Sequence, residues 1–215
     1  MSKKQPLVAQ NHFLQMLTGA YAALWLILAL RPVDRADWFL ENLLVFATVA
    51  LLGFSYRRFQ LSNRSYALLA VFLALHAIGA HYTYAEVPLG FWVRDWFHLG
   101  RNHFDRAIHF GFGLLLVDPL REFLWRLVTT RGAWSLWLAA VSIIGMSSFF
   151  EIVEAVIAQL VHPELGAAYL GTQGDIWDAQ KDMAAVFLGA ALAAALMARG
   201  RSGADRQPRS DGAFA

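Results

Sequence analysis

The sequence contains no cysteine. That absence excludes disulfides, thiol nucleophiles and thiolate metal sites, so any bound metal must be held by histidine and carboxylate. Charge is scarce as well. Asp, Glu, Lys and Arg make up 16% of the 215 residues, against about 25% in an average soluble domain. The net charge of +2 is too small to imply a nucleic-acid partner. No Gly/Ser/Pro-rich linker divides the chain, which points to one domain. What the sequence does have is apolar residues, 58% of the total, set in long runs with the charges gathered between them.

A membrane-spanning helix needs roughly 17 to 25 predominantly apolar residues, and about six stretches approach or meet that length. The predicted fold class is therefore all-α: a polytopic membrane helical bundle of about six transmembrane helices. They are placed at residues 13–30, 38–54, 65–85, 105–123, 134–160 and 178–197, within a single domain 1–198. The segment 91–104, FWVRDWFHLGRNHF, mixes aromatic and charged residues and predicts a short helix lying in the interface plane. Residues 199–215 are polar and Gly-rich and predict a disordered basic cytoplasmic tail. The first apolar run follows Lys3 and Lys4 without a small-residue cleavage site, and is read as a retained anchor.

Orientation follows from the basic residues between the spans. With the N-terminus in the cytoplasm, twelve of the eighteen Lys and Arg residues fall on the cytoplasmic side: Lys3, Lys4, Arg57, Arg58, Arg64, Arg121, Arg126, Arg131, Arg199, Arg201, Arg206 and Arg209. Arg31, Arg35, Arg94, Arg101, Arg106 and Lys181 fall on the other side. A multi-pass protein of the cell (inner) membrane with both termini cytoplasmic is expected, with the lipid bilayer as its first partner. In the last span, Ala185, Gly189 and Ala193 recur every four residues and predict a face that another helix backbone can approach closely.

Short connections force the last four spans to run up and down, which gathers their polar ends at one face. His76, His81, Tyr82 and Tyr84 come from the third span; Arg101, Asn102, His103, Asp105, Arg106 and His109 open the fourth. Glu151 and Glu154 close the fifth, and Gln173, Asp175, Asp178, Gln180 and Asp182 lead into the sixth. Within helices, Asp105 and His109 share a face at i,i+4, as do Asp178 and Asp182, while Glu151 and Glu154 are i,i+3 with Ser147 one turn away. Ionisable groups at membrane depth are rare and face a partner or water. Surplus carboxylates must share protons, bind a cation or sit in water. Asp105, His109, Glu151, Glu154, Asp178 and Asp182 are accordingly the candidate acid/base groups. Arg101, Asn102, Arg106, Gln173 and Gln180 are candidate substrate-binding groups, with the two arginines suited to a phosphate. His76, His81, His109 and Asp175 are candidate ligands for a divalent metal such as Zn or Mn. His12, His98 and His162 are interfacial. Structural hydrogen bonds, helix capping and ion pairing are the competing explanation for each of these residues.

The stretches LHAIGAHYTYAEVP, RNHFDRAIHFGFG, FEIVEA and YLGTQGDIWDAQKDM resemble those of the YjdF-type predicted inner-membrane proteins, a bacterial family without an assigned activity, over residues 37–197. A looser similarity links the last four spans with VanZ-like membrane proteins, which are associated with glycopeptide resistance. Their Asp-Lys-x-x-His is matched by Asp105-Arg106-x-x-His109, and their Glu-x-x-Gln by Glu151-x-x-Glu154. Their Asp leading into a Gly-containing last helix is matched by Asp182 with Gly189. Arg106 and Glu154 depart from that pattern. The resemblance implies that these residues form one site and brings no reaction with it. Three functions are open: action on or binding of lipid head groups and lipid-linked envelope precursors, proton- or ion-coupled transport, and a non-catalytic envelope scaffold.

Overall fold

A computed structural model describes residues 11–56, 58–128 and 132–204. Among the described residues the chain forms helices and no strands: α1 His12–Leu28, α2 Arg35–Tyr56, α3 Asn63–His81, α4 Pro88–Phe97, α5 Phe104–Val128, α6 Ala133–Leu160, α7 Pro163–Leu170 and α8 Asp178–Ala204. This is a membrane helical bundle. By length and composition four helices qualify to cross a bilayer: α2, α3, α6 and the part Asp178–Arg199 of α8. α1 is apolar but shorter, at 17 residues. α5 is long enough, at 25 residues, but carries charge at both ends. The expected six is therefore not reached on these two criteria alone.

Local chemistry explains where the helices begin and end. Asn11 and Ser62 cap α1 and α3 by accepting from the amides of Leu14 and Ser65. Pro88 and Pro163 sit at the first positions of α4 and α7, where a missing N–H costs nothing. α7 closes on Gly171 in the left-handed region. Pro119 lies inside α5, as bilayer helices allow when neighbours take up the freed backbone groups.

The boundaries depart from expectation at four places. α3 stops at His81 instead of continuing to 85, because Thr83 and Tyr84 both adopt left-handed backbone angles, φ 54° and 52°. That hairpin folds Tyr84 back over Gly79, where a Cβ would lie 2.6 Å from the tyrosine ring. The interfacial helix is α4 at Pro88–Phe97, shifted towards the N-terminus because Pro88 opens it and left-handed His98 closes it. A second short helix, α7, follows α6 and was not anticipated. α8 runs on to Ala204, so the first residues of the expected tail are helical. The rest of that tail, with Arg206 and Arg209, lies outside the described residues, as do Lys3, Lys4, Arg57 and Arg131.

The α5–α8 pair forms the most extensive helix contact. A Cβ on Gly113 would overlap the Val186 carbonyl, and one on Gly189 would overlap the Phe110 carbonyl. The two glycines therefore let the backbones touch. Around this crossing α5, α6 and α8 bury an apolar layer of Val117, Ile143, Ala139, Val186, Ala190 and Ala193. The succession α2 down, α3 up, α5 down, α6 up, α8 down brings five helix ends to one end of the bundle. At the opposite end, Glu122 accepts from the Ser62 and Ser65 hydroxyls and from Arg126. Arg64 pairs there with Asp118 at 3.0 Å.

Candidate functional site

The polar end of the bundle divides into an outer and an inner layer. The outer layer ties the loop before α8 to the start of α5. Arg101 donates to both carboxylate oxygens of Asp178, to the carbonyls of Thr172 (2.8 Å) and Gly171 (3.2 Å), and to that of Asn102. Its guanidinium is fully engaged. Arg106 donates to Asp175 at 2.5 Å and to Asp178 at 3.0 Å, and Lys181 donates to Asp175 at 2.6 Å. Three cations thus meet two carboxylates.

Asn102, almost fully buried, is a backbone staple. Its amide donates to the Ala85 and Val87 carbonyls, and its oxygen accepts from the Phe104 N–H. Gln173 completes the tie, accepting from the Asn102 N–H at 3.0 Å and donating to the Asn102 carbonyl at 2.9 Å. Gly90 faces Asn102 with no space for a side chain. Hydrogen bonds from Lys181 and from the Trp177 N–H, together with Arg106, hold the Asp175 carboxyl below the usual carboxylate range. Burial, with Arg106 and Arg101 beside it, pushes His103 below the ordinary histidine value.

One to two turns deeper the balance reverses. His109 lies between two carboxylates: its Nε2 is 3.5 Å from Asp105 Oδ1 and its Nδ1 is 3.6 Å from Glu151 Oε1. Both separations exceed a good hydrogen bond. Asp182, nearly fully buried, approaches from α8, and one donor atom from each of Asp105, His109 and Asp182 lies within 4.8 Å of the others. Glu154 feels the charges of Glu41, Glu151, Asp105 and Asp182, and Glu41 those of Asp37, Asp105 and His109. Asp182 Oδ1, Glu151 Oε1, Ser147 Oγ, Arg106 Nε and both Asp37 oxygens are buried without a hydrogen-bond partner. Asp105, Glu151 and Asp182 therefore close on His109, with Asp37, Glu41 and Glu154 at the same end of the bundle and Arg106 Nε 3.9 Å from Asp182.

The structure brings Asp105, His109, Glu151, Glu154 and Asp182 together, and it sets Asp178 and Asp175 in the outer layer. It does not assemble the four expected metal ligands. Both ring nitrogens of His76 are spent. Nε2 donates to the Glu41 carbonyl at 3.2 Å, and Nδ1 accepts from the Tyr84 hydroxyl at 2.5 Å. His81 donates from Nδ1 to the Leu28 carbonyl at 2.6 Å, and its own carbonyl accepts from the Val33 N–H. It therefore pins the α1–α2 turn. Asp175 is saturated by Arg106 and Lys181. Of the expected substrate-binding groups, Arg101, Asn102 and Gln173 are engaged in holding the loops, and Gln180 is exposed.

Sequence reasoning passed over Asp37, Glu41 and Tyr169. Asp37 and Glu41 are i,i+4 at the first end of α2, the same spacing that singles out Asp105 and His109. Tyr169, buried on α7, is within electrostatic range of Glu41 and Glu154; nothing in its local sequence marks it.

The described cavities lie beside this centre and not in it. One of about 540 Å³ opens between the end of α6 and α7, lined by Ala155, Ala158, Pro163 and Leu170 among others. Another of about 200 Å³ lies between α1 and α3. The acid–histidine centre is packed, yet Asp105, His109 and Glu151 keep 16%, 14% and 11% of their side-chain surface open, while Asp182 keeps 3%. It is reachable from its rim by a small group.

Comparison with known proteins agrees with the bundle. Residues 13–203 match the family described as predicted membrane protein (DUF2238). The chain is 35% identical over 167 residues to the inner membrane protein YjdF of Escherichia coli strain K12, spanning 77% of this chain and 79% of that protein. No solved structure matches it. These matches carry the YjdF-type resemblance and give no support to the VanZ-like one. Matched over most of its length, the chain belongs to the DUF2238 family of predicted membrane proteins.

Proposed function

We propose that this inner-membrane protein does its chemistry at one membrane face, on a small polar group, such as the phosphate of a lipid-linked envelope component, presented at the rim of the acid–histidine centre. The carrying observation is that six carboxylates and His109 meet at one end of the bundle only, with apolar side chains between α5, α6 and α8 beneath them. In the six-span arrangement the preponderance of Lys and Arg at the opposite end makes that end cytoplasmic and the site extracytoplasmic. Two further features suit a lipid-borne substrate. The apolar cleft between α6 and α7, of about 540 Å³, begins at Ala155, the residue after Glu154, and would take part of an acyl chain. α4 exposes Trp92, Trp96 and Phe97, the side chains of a head-group interface. Asp105, His109 and Glu151, each keeping part of its side-chain surface open, are the groups that would meet the substrate at the rim.

Envelope lipids compared between cells lacking the protein and cells restored with the parent or with His109→Gln test this. A lipid species that accumulates without the protein, and is cleared by the parent but not by the variant, is expected. Unchanged lipids together with no turnover of lipid phosphates by purified protein would overturn it.

The carboxylate surplus also suits proton or ion exchange, although the described layer between α5, α6 and α8 beneath it is apolar. Proteoliposome flux that is present in the parent and lost in Asp182→Asn would favour that second reading.

A further inference from the structure

We propose that Asp105, His109 and Asp182 bind a divalent transition-metal cation, with Glu151 as the outer carboxylate that orients His109. This deepens the reading above and rests on it for placing the chemistry at this centre, although its test reads metal and not turnover.

Three observations carry it. First, one donor atom from each of the three side chains already lies within 4.8 Å of the others, drawn from two helices whose backbones touch. Metal bonds of about 2.0–2.2 Å set tetrahedral ligands about 3.4 Å apart, and His109 Nε2 is 3.5 Å from Asp105 Oδ1. The other separations, none above 4.8 Å, close to that value when the ligands draw in on an ion. Second, Asp182 Oδ1 is buried without any hydrogen-bond partner, in a side chain only 3% exposed. An oxygen in that position costs stability unless a cation or a donor reaches it. Third, the two nitrogens of His109 face different carboxylates. With Nε2 on the metal, Nδ1–H points at Glu151 Oε1, 3.6 Å away, giving the carboxylate–histidine–metal relay that fixes tautomer and ring orientation.

The local charge agrees. A divalent ion would offset the acids that His109 and Arg106 leave unmatched. Arg106 turns Nη2 away to Asp175 and Asp178 and Nη1 to His103 Nδ1, although its Nε still faces Asp182. One imidazole and two carboxylates suit Zn²⁺ or Mn²⁺ over the softer Cu⁺. Three protein ligands leave coordination positions for water or a phosphoryl oxygen, the arrangement of a reactive and not a structural metal.

The experiment is elemental analysis of the full chain purified in mild detergent, with His109→Gln, Asp182→Asn and Glu151→Gln variants. The melting temperature of chelator-treated parent is also followed as ZnCl₂ or MnCl₂ is added. Near-stoichiometric metal is expected in the parent, falling at least tenfold in His109→Gln and Asp182→Asn. Glu151→Gln should keep the site with affinity weakened about 10- to 100-fold. Added metal should raise the melting temperature of the parent but not of Asp182→Asn, a readout that survives if one variant folds poorly. Background metal in the parent with no thermal response to either ion overturns the proposal, as does metal retained in both ligand variants. Stoichiometric metal with unchanged envelope lipids would remove the lipid reading and leave the metal site standing.

Discussion

Two charge layers stand within two helical turns of each other at one end of this bundle, built on opposite terms. In the outer layer Arg101, Arg106 and Lys181 meet Asp175 and Asp178, and loop carbonyls take up Arg101's remaining donors. In the inner layer Asp105, Glu151 and Asp182 close on His109, with Asp37, Glu41 and Glu154 at the same end of the bundle, and several of their oxygens have no donor. An ion network whose carboxylates are each matched by cations holds loops in place. A cluster that leaves acids unmatched works against the fold, and such clusters belong to sites that bind or react. Both layers contain aspartate, so neighbours and not identity separate the anchored Asp178 from the unmatched Asp182.

Removing Arg101 should give the largest effect. Arg101→Ala leaves buried Asp178 with Arg106 as its remaining cation and the Gly171 carbonyl without its donor, and should lower unfolding stability in detergent by about 3–5 kcal/mol. Parent-like stability would mean that the outer layer does not tie the loop before α8 to α5. Next comes Asn102→Ala, which leaves the Ala85 carbonyl and the Phe104 amide without partners and takes one donor from the Val87 carbonyl, for a loss of roughly 2–3 kcal/mol in the same measurement. Asp182→Asn should behave differently. Neutralising one surplus acid should shift apo-protein stability by less than about 1 kcal/mol in either direction, or raise it. A loss as large as that of Arg101→Ala would erase the distinction between the layers and favour the scaffold.

Acid titration sharpens the contrast further. The native pKa of Asp175 is depressed, so its stabilisation is full above the unfolded carboxylate value near 3.9 and is lost as pH falls through the lower native value. Asp175→Asn should therefore flatten the stability–pH curve below about pH 4. His103 is depressed too. Its contribution is complete above about pH 6.5 and fades as pH falls towards its native value. His103→Gln should remove a shallow slope just below that pH, the smallest change of the series. A curve unchanged by either substitution would detach both groups from the outer layer.

Much of this arrangement is legible in the residues. Runs such as 134–160 can only be membrane helices, because no other structure satisfies their backbone in lipid. The i,i+4 spacing of Asp105 with His109 places them together on any helix. Tertiary placement decided the rest. His76 and His81 have the composition of metal ligands and are hydrogen-bonded to backbone and tyrosine instead, because the Thr83–Tyr84 turn reverses the chain over Gly79. Arg101 has the chemistry of a phosphate clamp and is consumed by the loop ahead of α8, some seventy residues away.

The sequence by itself determined the all-helical membrane class, which follows from hydrophobic run length and the position of charge between the runs. Only the tertiary structure decided which acids have partners, that α2 adds Asp37 and Glu41, and that His109 sits between Asp105 and Glu151. Electrostatic balance is set by distances of a few ångströms between helices far apart in the chain. No local pattern encodes those distances; the close α5–α8 crossing at Gly113 and Gly189 does.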